Sequence, residues 1–245
     1  MTAIAKALVI LELAGRDEST SIAEMIEATN LPRSTIVRIV GELMGRQFLE
    51  RAERGRYRPG PMVRALARAS SSDDAINARA RDQLRLLTAA TGETSHWTVY
   101  EAGHSVYVDK VDGLHPIRAY TKIGGRSPAY ATATGKALLA WQDPQEIARV
   151  ALQATRFTRS THADLASIQA EAKRIRAQGY AVNRGEWREG VWGIAVPVFG
   201  SDGQVFAALG LSGPEQRIRP QLKAFVKLVI EYAARICPPR AALSA

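Results

Sequence analysis

Arginine is the first residue type in this chain whose placement points to a chemistry. Residues 31–70 hold Arg33, Arg38, Arg46, Arg51, Arg54, Arg56, Arg58, Arg64 and Arg68 against only Glu42, Glu50 and Glu53, a net +6 out of +9 for all 245 residues. The first thirty residues are slightly acidic, and no lysine stands among the bases of 31–70. Lysine would serve solubility alone, whereas the planar arginine fork makes paired contacts to phosphate and guanine. A solvated basic face is the plainer alternative. The cluster points to nucleic acid.

Other candidate chemistries fail on spacing. Gly135-Lys136 hints at a phosphate loop, but Tyr130 stands where that loop needs glycine and Ala137 replaces the magnesium-holding hydroxyl. Gly210-Leu211-Ser212-Gly213 is not a nucleophile elbow. His96, His104, His115 and His162 lack the spacing of a helical metal site, and a lone Cys237 rules out a cysteine-based zinc site. Glu186 and Glu189 read as surface or loop-fixing carboxylates rather than an acid/base pair. The expectation is no enzyme, no cofactor and no metal.

The elements that must position the arginines are helices. Ile4, Ala7, Leu8, Ile10, Leu11 and Leu13 recur at helical spacing. Ser21 with Glu24 is a capping-box signature for a helix over 22–29, with Ile22, Met25 and Ile26 inward. After a break at 29–31, a third helix opens at Pro32 or Arg33 with Ile36, Ile39, Val40 and Leu43 as its buried stripe. This is a helix-turn-helix. Short strands over 48–51 and 56–58 around Glu53-Arg54-Gly55 add a wing. Outward on the third helix lie Arg33, Ser34, Thr35, Val37, Arg38 and Glu42; the hydroxyls and arginines suit phosphates and base edges, although Ser34 alone reads better as a cap. Arg54 and Arg56 join them from the wing.

Farther on, 64–72 is small and polar and 70–74 reads as the interdomain break, followed by a helix over 75–90 with Ile76, Leu84 and Leu87 inward. From Thr94 the period becomes two: strands are expected over 95–101, 105–111, 116–120, 180–183, 191–199 and 204–212. Helices are expected over 135–142, 144–151, 165–178 and about 220–236. Consecutive strands in hairpins make this an α+β domain with an antiparallel sheet. The expected division is 1–62, a winged helix-turn-helix; 63–91, a linker and connecting helix; and 92–245, a small-molecule domain. With 46% apolar residues the chain can bury a core, which excludes disorder. It has no run of 18 apolar residues, and its N-terminus reads as an amphipathic helix rather than a signal peptide. A cytoplasmic protein without a membrane partner is expected.

The stretches AKALVILELAG and SIAEMIEATNLPRSTIVRIVGELMGRQFLERAERGRYRPG closely resemble the winged N-terminal domain of the IclR family of bacterial transcriptional regulators. GGRSPAYATATGKALLA at 124–140 and GYAVNRGEWREGVWGIAVPVFGSDGQVFAALGLSGP at 179–214 resemble its effector-binding domain, which has a GAF-like fold. The resemblance implies a regulator of a catabolic operon that binds double-stranded DNA at a pseudo-palindromic operator as a homodimer or homotetramer. It also implies a pocket for a small organic effector, an organic acid, lined by Ser127, Ala133, Thr134, Asn183, Gly193, Gly210 and Ser212. Trp192 should pack against helices instead. Departures are Pro59, where the family has an apolar residue and where a proline should end the wing strand early, and Asn183, Gly193 and Gly200 within the signature. Two wall glycines and a neutral amide suggest an effector larger than a two- or three-carbon acid. The rivals are an enzyme whose head is a protein-interaction module, and a non-specific nucleoid protein.

Overall fold

The computed structural model describes residues 2–16, 19–70, 74–200 and 203–237, and the chain divides into two compact units, Met1–Asp74 and Ala75–Ala245. The first begins with α1 (Ala3–Arg16), α2 (Ile22–Thr29) and α3 (Arg33–Gly45). The capping box forms: the Glu24 N–H donates to Ser21 Oγ at 3.3 Å, and the Ser21 N–H donates to Glu24 Oε2 at 2.9 Å. Asn30 takes the left-handed conformation (φ 55°) that closes α2. Pro32 precedes α3 and no side chain caps that helix. Ser34 is therefore not its cap; it lies at the second residue of α3 with its side chain exposed. Ile10, Ala14, Met25, Ile36, Ile39, Val40 and Leu49 form the core of this unit.

The wing pairs β1 (Leu49–Arg51) with β2 (Tyr57–Pro59), and Thr20 bridges to Tyr57 on the other edge. Pro59 does not cut the strand short. It sits opposite Leu49, and the next bond comes from the Gly60 N–H to the Phe48 carbonyl at 2.9 Å, so the missing proline N–H interrupts nothing. The small polar stretch before the expected break is helical as far as Ser70: α4 (Pro61–Ser70) starts on a proline, whose fixed φ suits a first helical residue. Residues 71–73 of that break lie outside the described residues, as do 201–202 of the expected turn before Gly203.

In the second unit, α5 (Asp74–Thr91) precedes β3 (Thr94–Glu101), β4 (His104–Val111) and β5 (Arg126–Pro128). There follow α6 (Ala133–Leu139), α7 (Pro144–Leu152) and α8 (Leu165–Gln178), then β6 (Ala181–Arg184), β7 (Val191–Phe199) and β8 (Val205–Pro214). A short α9 (Glu215–Ile218) and α10 (Leu222–Ile236) end it. The strands form one antiparallel sheet in the order β5-β4-β3-β8-β7-β6. Side-chain alternation divides the sheet by size. Ala195 and Ala208 lie in the cluster with α6, α7 and α8, while Ile194, Val196, Val198, Leu209 and Leu211 lie in the cluster with α5 and α10. With both faces covered, these strands read as nearly continuous apolar runs. The helix expected to connect the domains is α5, and its Ala80, Leu84 and Leu87 belong to this second core. Its Asn77 also accepts a hydrogen bond from the Trp97 indole at 2.9 Å.

The strand expected over 116–120 does not form. Residues 112–125 carry no strand or helix, with Ile117 75% and Tyr120 79% exposed, and the partner of β4 is β5 instead. Side chains hold that segment: Arg217 donates to the Ile117 carbonyl at 2.9 Å, and Lys110 to that of Thr121 at 2.8 Å.

Candidate functional site

The head presents its outward residues much as the spacing predicts. Arg33, Ser34, Val37 and Arg38 are exposed on α3 and Thr35 is half-buried; Val37, an apolar residue, is 49% exposed. Burial of Ile36, Ile39 and Val40 fixes the rotation of α3 that turns these residues outward.

The arginines sort into two kinds. Arg56 is spent inside the head: it donates to both oxygens of Glu24 at 2.9 Å, to Ser19 Oγ at 2.9 Å and to the Ser19 carbonyl at 2.6 Å. That fork ties the wing to α2. Its hydrogen bonds, then the Ser21 N–H, hold the Glu24 carboxyl down at about 2. Arg58 and Arg64 both pair with Glu50, at 2.7 and 3.1 Å. By contrast, Arg33, Arg38, Arg46, Arg51 and Arg54 are exposed, with no side-chain partner among the described residues. Arg54 is at the wing tip in the left-handed region (φ 55°, ψ 33°), a conformation that costs a residue with a Cβ about 1–2 kcal/mol. Sequence reasoning grouped Arg54 with Arg56; the fold separates them.

The second unit holds a pocket of about 60 Å³ between the small-residue face of the sheet, the start of α6, the 185–190 loop and the 119–121 segment. Five of the seven residues implied by resemblance line it: Ala133, Thr134, Asn183, Gly193 and Ser212. Ser127 does not. It is fully buried behind Tyr107, to whose hydroxyl it donates at 3.4 Å. Gly210 does not either, because a Cβ there would come within 2.7 Å of Thr134 Cγ2 and 2.8 Å of the Ile194 carbonyl oxygen. Gly193 is similarly crowded, 3.0 Å from the Leu211 carbonyl oxygen and 3.3 Å from Ala133 Cβ. These glycines let α6 lie close on the sheet; they do not widen the wall. Trp192 packs with the α5 and α10 cluster, away from the small-residue face.

Further lining residues were not anticipated: His96, Tyr107, Tyr120, Thr121, Trp187 and Arg188. His96 Nε2 is 2.8 Å from Ser212 Oγ and its ring meets Tyr107 edge-on at 5.2 Å. Burial, reinforced by the Lys110 charge and opposed by Asp112, pushes its pKa down to about 3, so the imidazole is neutral. The Asn183 Oδ1 accepts the Glu186 N–H at 2.9 Å, which leaves its amide nitrogen as the donor to spare. Among the described residues Arg188 is the single arginine or lysine lining the pocket, and its guanidinium lies 4.6 Å from the centre of the Trp187 ring. Alternation could have flagged His96 on the Gly210 face; nothing local marks a loop arginine.

Behind α6 lies a buried ion cluster. Lys136 Nζ donates to Glu171 Oε1 at 3.0 Å, Glu186 Oε1 at 2.7 Å and the Val182 carbonyl at 2.7 Å. Arg174 pairs with the other Glu171 oxygen. Burial alone would raise the Glu171 carboxyl, but Lys136 and Arg174 outweigh it and hold it below the usual range. Glu186 is thus loop-fixing, as read, but buried rather than on the surface; Glu189 is exposed. Among the described residues no group of His, Cys, Asp and Glu could hold a metal ion, and no helix is long and apolar enough to cross a membrane.

A helix-turn-helix head with a wing, in one chain with an α/β unit that encloses a pocket, defines a class of transcriptional regulators. The family model for the IclR helix-turn-helix domain matches residues 3–53, and that for the bacterial transcriptional regulator IclR C-terminal domain matches 68–238. The chain belongs to the IclR family of bacterial transcriptional regulators. It is 31% identical to the HTH-type transcriptional regulator KdgR of Escherichia coli K12 over 244 residues, covering 96% of this chain and 91% of that one. Its structure is similar to that of the Thermotoga maritima IclR, with a TM-score of 0.70 and 26% identity over 95% of this chain and 96% of that one. An IclR homologue from Microbacterium hydrocarbonoxydans complexed with 4-hydroxybenzoate shares the fold, at a TM-score of 0.71 and 24% identity over 96% and 97%.

Proposed function

We propose that this chain reads a pseudo-palindromic operator of a catabolic operon and is switched by a small organic acid in the pocket of its second unit. The observation that carries the effector class is Arg188: it gives the pocket one positive charge, while the other polar groups named around it are neutral. Asn183, Ser212 and neutral His96 supply hydrogen bonds without repelling a carboxylate. The effector we expect is an acid larger than two or three carbons, such as the 4-hydroxybenzoate held by the Microbacterium homologue. The crowding at Gly193 and Gly210 removes one argument for a large effector; the neutral amide of Asn183 is the one that remains. On DNA, Arg33, Ser34, Thr35, Val37 and Arg38 read the major groove and Arg54 holds a phosphate, while Arg56 acts through the wing it anchors. In a homodimer or homotetramer two such heads read half-sites about 34–36 Å apart.

A thermal-shift screen of organic acids, followed by calorimetry on each hit, tests the effector reading. Larger monocarboxylates should bind, and Arg188→Gln should abolish the shift. Tight binding of pyruvate or glyoxylate, with none of larger acids, overturns it.

A further inference from the structure

The 185–190 loop holds the pocket's arginine, yet its fixed points lie elsewhere. The loop is bounded by Gly185 (φ 80°) and Gly190 (φ 73°), both left-handed, where a residue with a Cβ would be strained. The side-chain hydrogen bonds that fasten the loop to other segments converge on Gly185 and Glu186, while its far end is held through the backbone, the Gly190 carbonyl accepting the Glu215 N–H at 2.8 Å. Thr158 Oγ1 donates to the Gly185 carbonyl at 2.7 Å and Thr161 Oγ1 to the Glu186 carbonyl at 2.5 Å. The Glu186 N–H donates to Asn183 Oδ1, and the Glu186 carboxylate accepts from buried Lys136 at 2.7 Å. Trp187 and Arg188 follow directly, and both line the pocket. Lys136 is carried by α6, the helix whose first residues, Ala133 and Thr134, line the same pocket.

We infer that the Lys136–Glu186 ion pair is a positioning device for effector binding: it pins the loop so that Arg188 meets the carboxylate of the ligand. Neither residue is among those that line the pocket with Arg188; both act through the loop. A charged pair suits this task because a buried ammonium with three acceptors around it accepts one arrangement and penalises others. The inference rests on the pocket reading above.

Hydrogen exchange of the full chain, wild type against Glu186→Gln, tests the pinning without any ligand. Glutamine keeps the shape and one acceptor, and Thr161→Val, which removes the donor to the Glu186 carbonyl, is the second variant. In both, exchange of the peptide over 186–190 should quicken by about ten-fold or more while β8 keeps its rate. No change, or a change spread evenly over the second unit, overturns the inference. Calorimetry with 4-hydroxybenzoate and gluconate as probe acids, and 4-hydroxybenzamide as the uncharged control, tests the positioning. Glu186→Gln should weaken a binding acid about ten-fold and the amide not at all, and combining it with Arg188→Gln should add nothing to the loss from Arg188→Gln. Additive losses, or equal losses for acid and amide, overturn it. If no probe acid binds the wild type, the effector reading fails, while the exchange result still decides the pinning.

Discussion

Arg54 and Arg56 stand two residues apart and have opposite duties. Arg56 is used up on Glu24 and Ser19, whereas Arg54 holds a left-handed backbone at the wing tip with its side chain free. Arg54→Asn should leave the thermal midpoint unchanged, since asparagine tolerates that conformation, and should weaken binding to all DNA sequences while flattening the salt slope by about one unit. Arg56→Ala should instead lower the midpoint of the head. His96 gives a pH prediction. Its folded pKa of about 3 lies below the ordinary histidine value of 6.5, so the unfolded state binds the extra proton. Its contribution is complete above about pH 6.5 and is lost at up to ~1.4 kcal/mol per pH unit as pH falls toward 3. Glu24, held at about 2 from a usual 4.5, starts to cost the head only below pH 4.5. Acid melts should therefore weaken the second unit first, and His96→Gln should flatten its slope between pH 6.5 and 4.5. Simultaneous loss in both units would refute this ordering.

At the scale of elements, the buried cluster behind α6 is the costliest feature to disturb. Lys136→Met strands Glu171 and Glu186 without their ammonium and should destabilise the second unit by about 3–5 kcal/mol in urea melts. In α3, Gly41 is a helix-interior glycine whose Cβ would meet nothing within 4 Å. Gly41→Ala should stabilise the head by about 0.5–1 kcal/mol. Elements were legible where the local pattern decided the structure. The Ser21–Glu24 box set the start of α2, and the stripe of Ile36, Ile39 and Val40 set which side of α3 faces out. They were illegible where partners lie far away in sequence. Ile117 and Tyr120 read as strand formers, but their segment is held by Arg217 and Lys110 instead of by a ladder. Short α4 was hidden because its opening Pro61 and the small Ala65, Ala67, Ala69 and Ser70 suit a linker as well as a helix. In the pocket, Asn183, Gly193 and Ser212 came from resemblance, while Arg188 escaped because its placement depends on a lysine 52 positions upstream in the chain.

For the whole molecule, the charge that first pointed to DNA is sharper in three dimensions. Of the eight arginines in 31–70 whose side chains are described, Arg56, Arg58 and Arg64 neutralise Glu24 and Glu50 within the head, leaving Arg33, Arg38, Arg46, Arg51 and Arg54 exposed. An effector bound in the second unit can alter DNA affinity only by the difference in its own affinity for the two states, so DNA must weaken or strengthen effector binding by the same factor. The central claim is that α3 reads sequence. The measurement that tests it most directly is the affinity of wild type and of Arg33→Ala/Arg38→Ala for the chain's own upstream region against a scrambled fragment at fixed salt. The wild-type preference should be ~10³ or more and should collapse to ≲10-fold in the double variant, with the pocket still binding its acid. An undiminished preference in the double variant, or a wild-type preference of ≲10-fold, would contradict it.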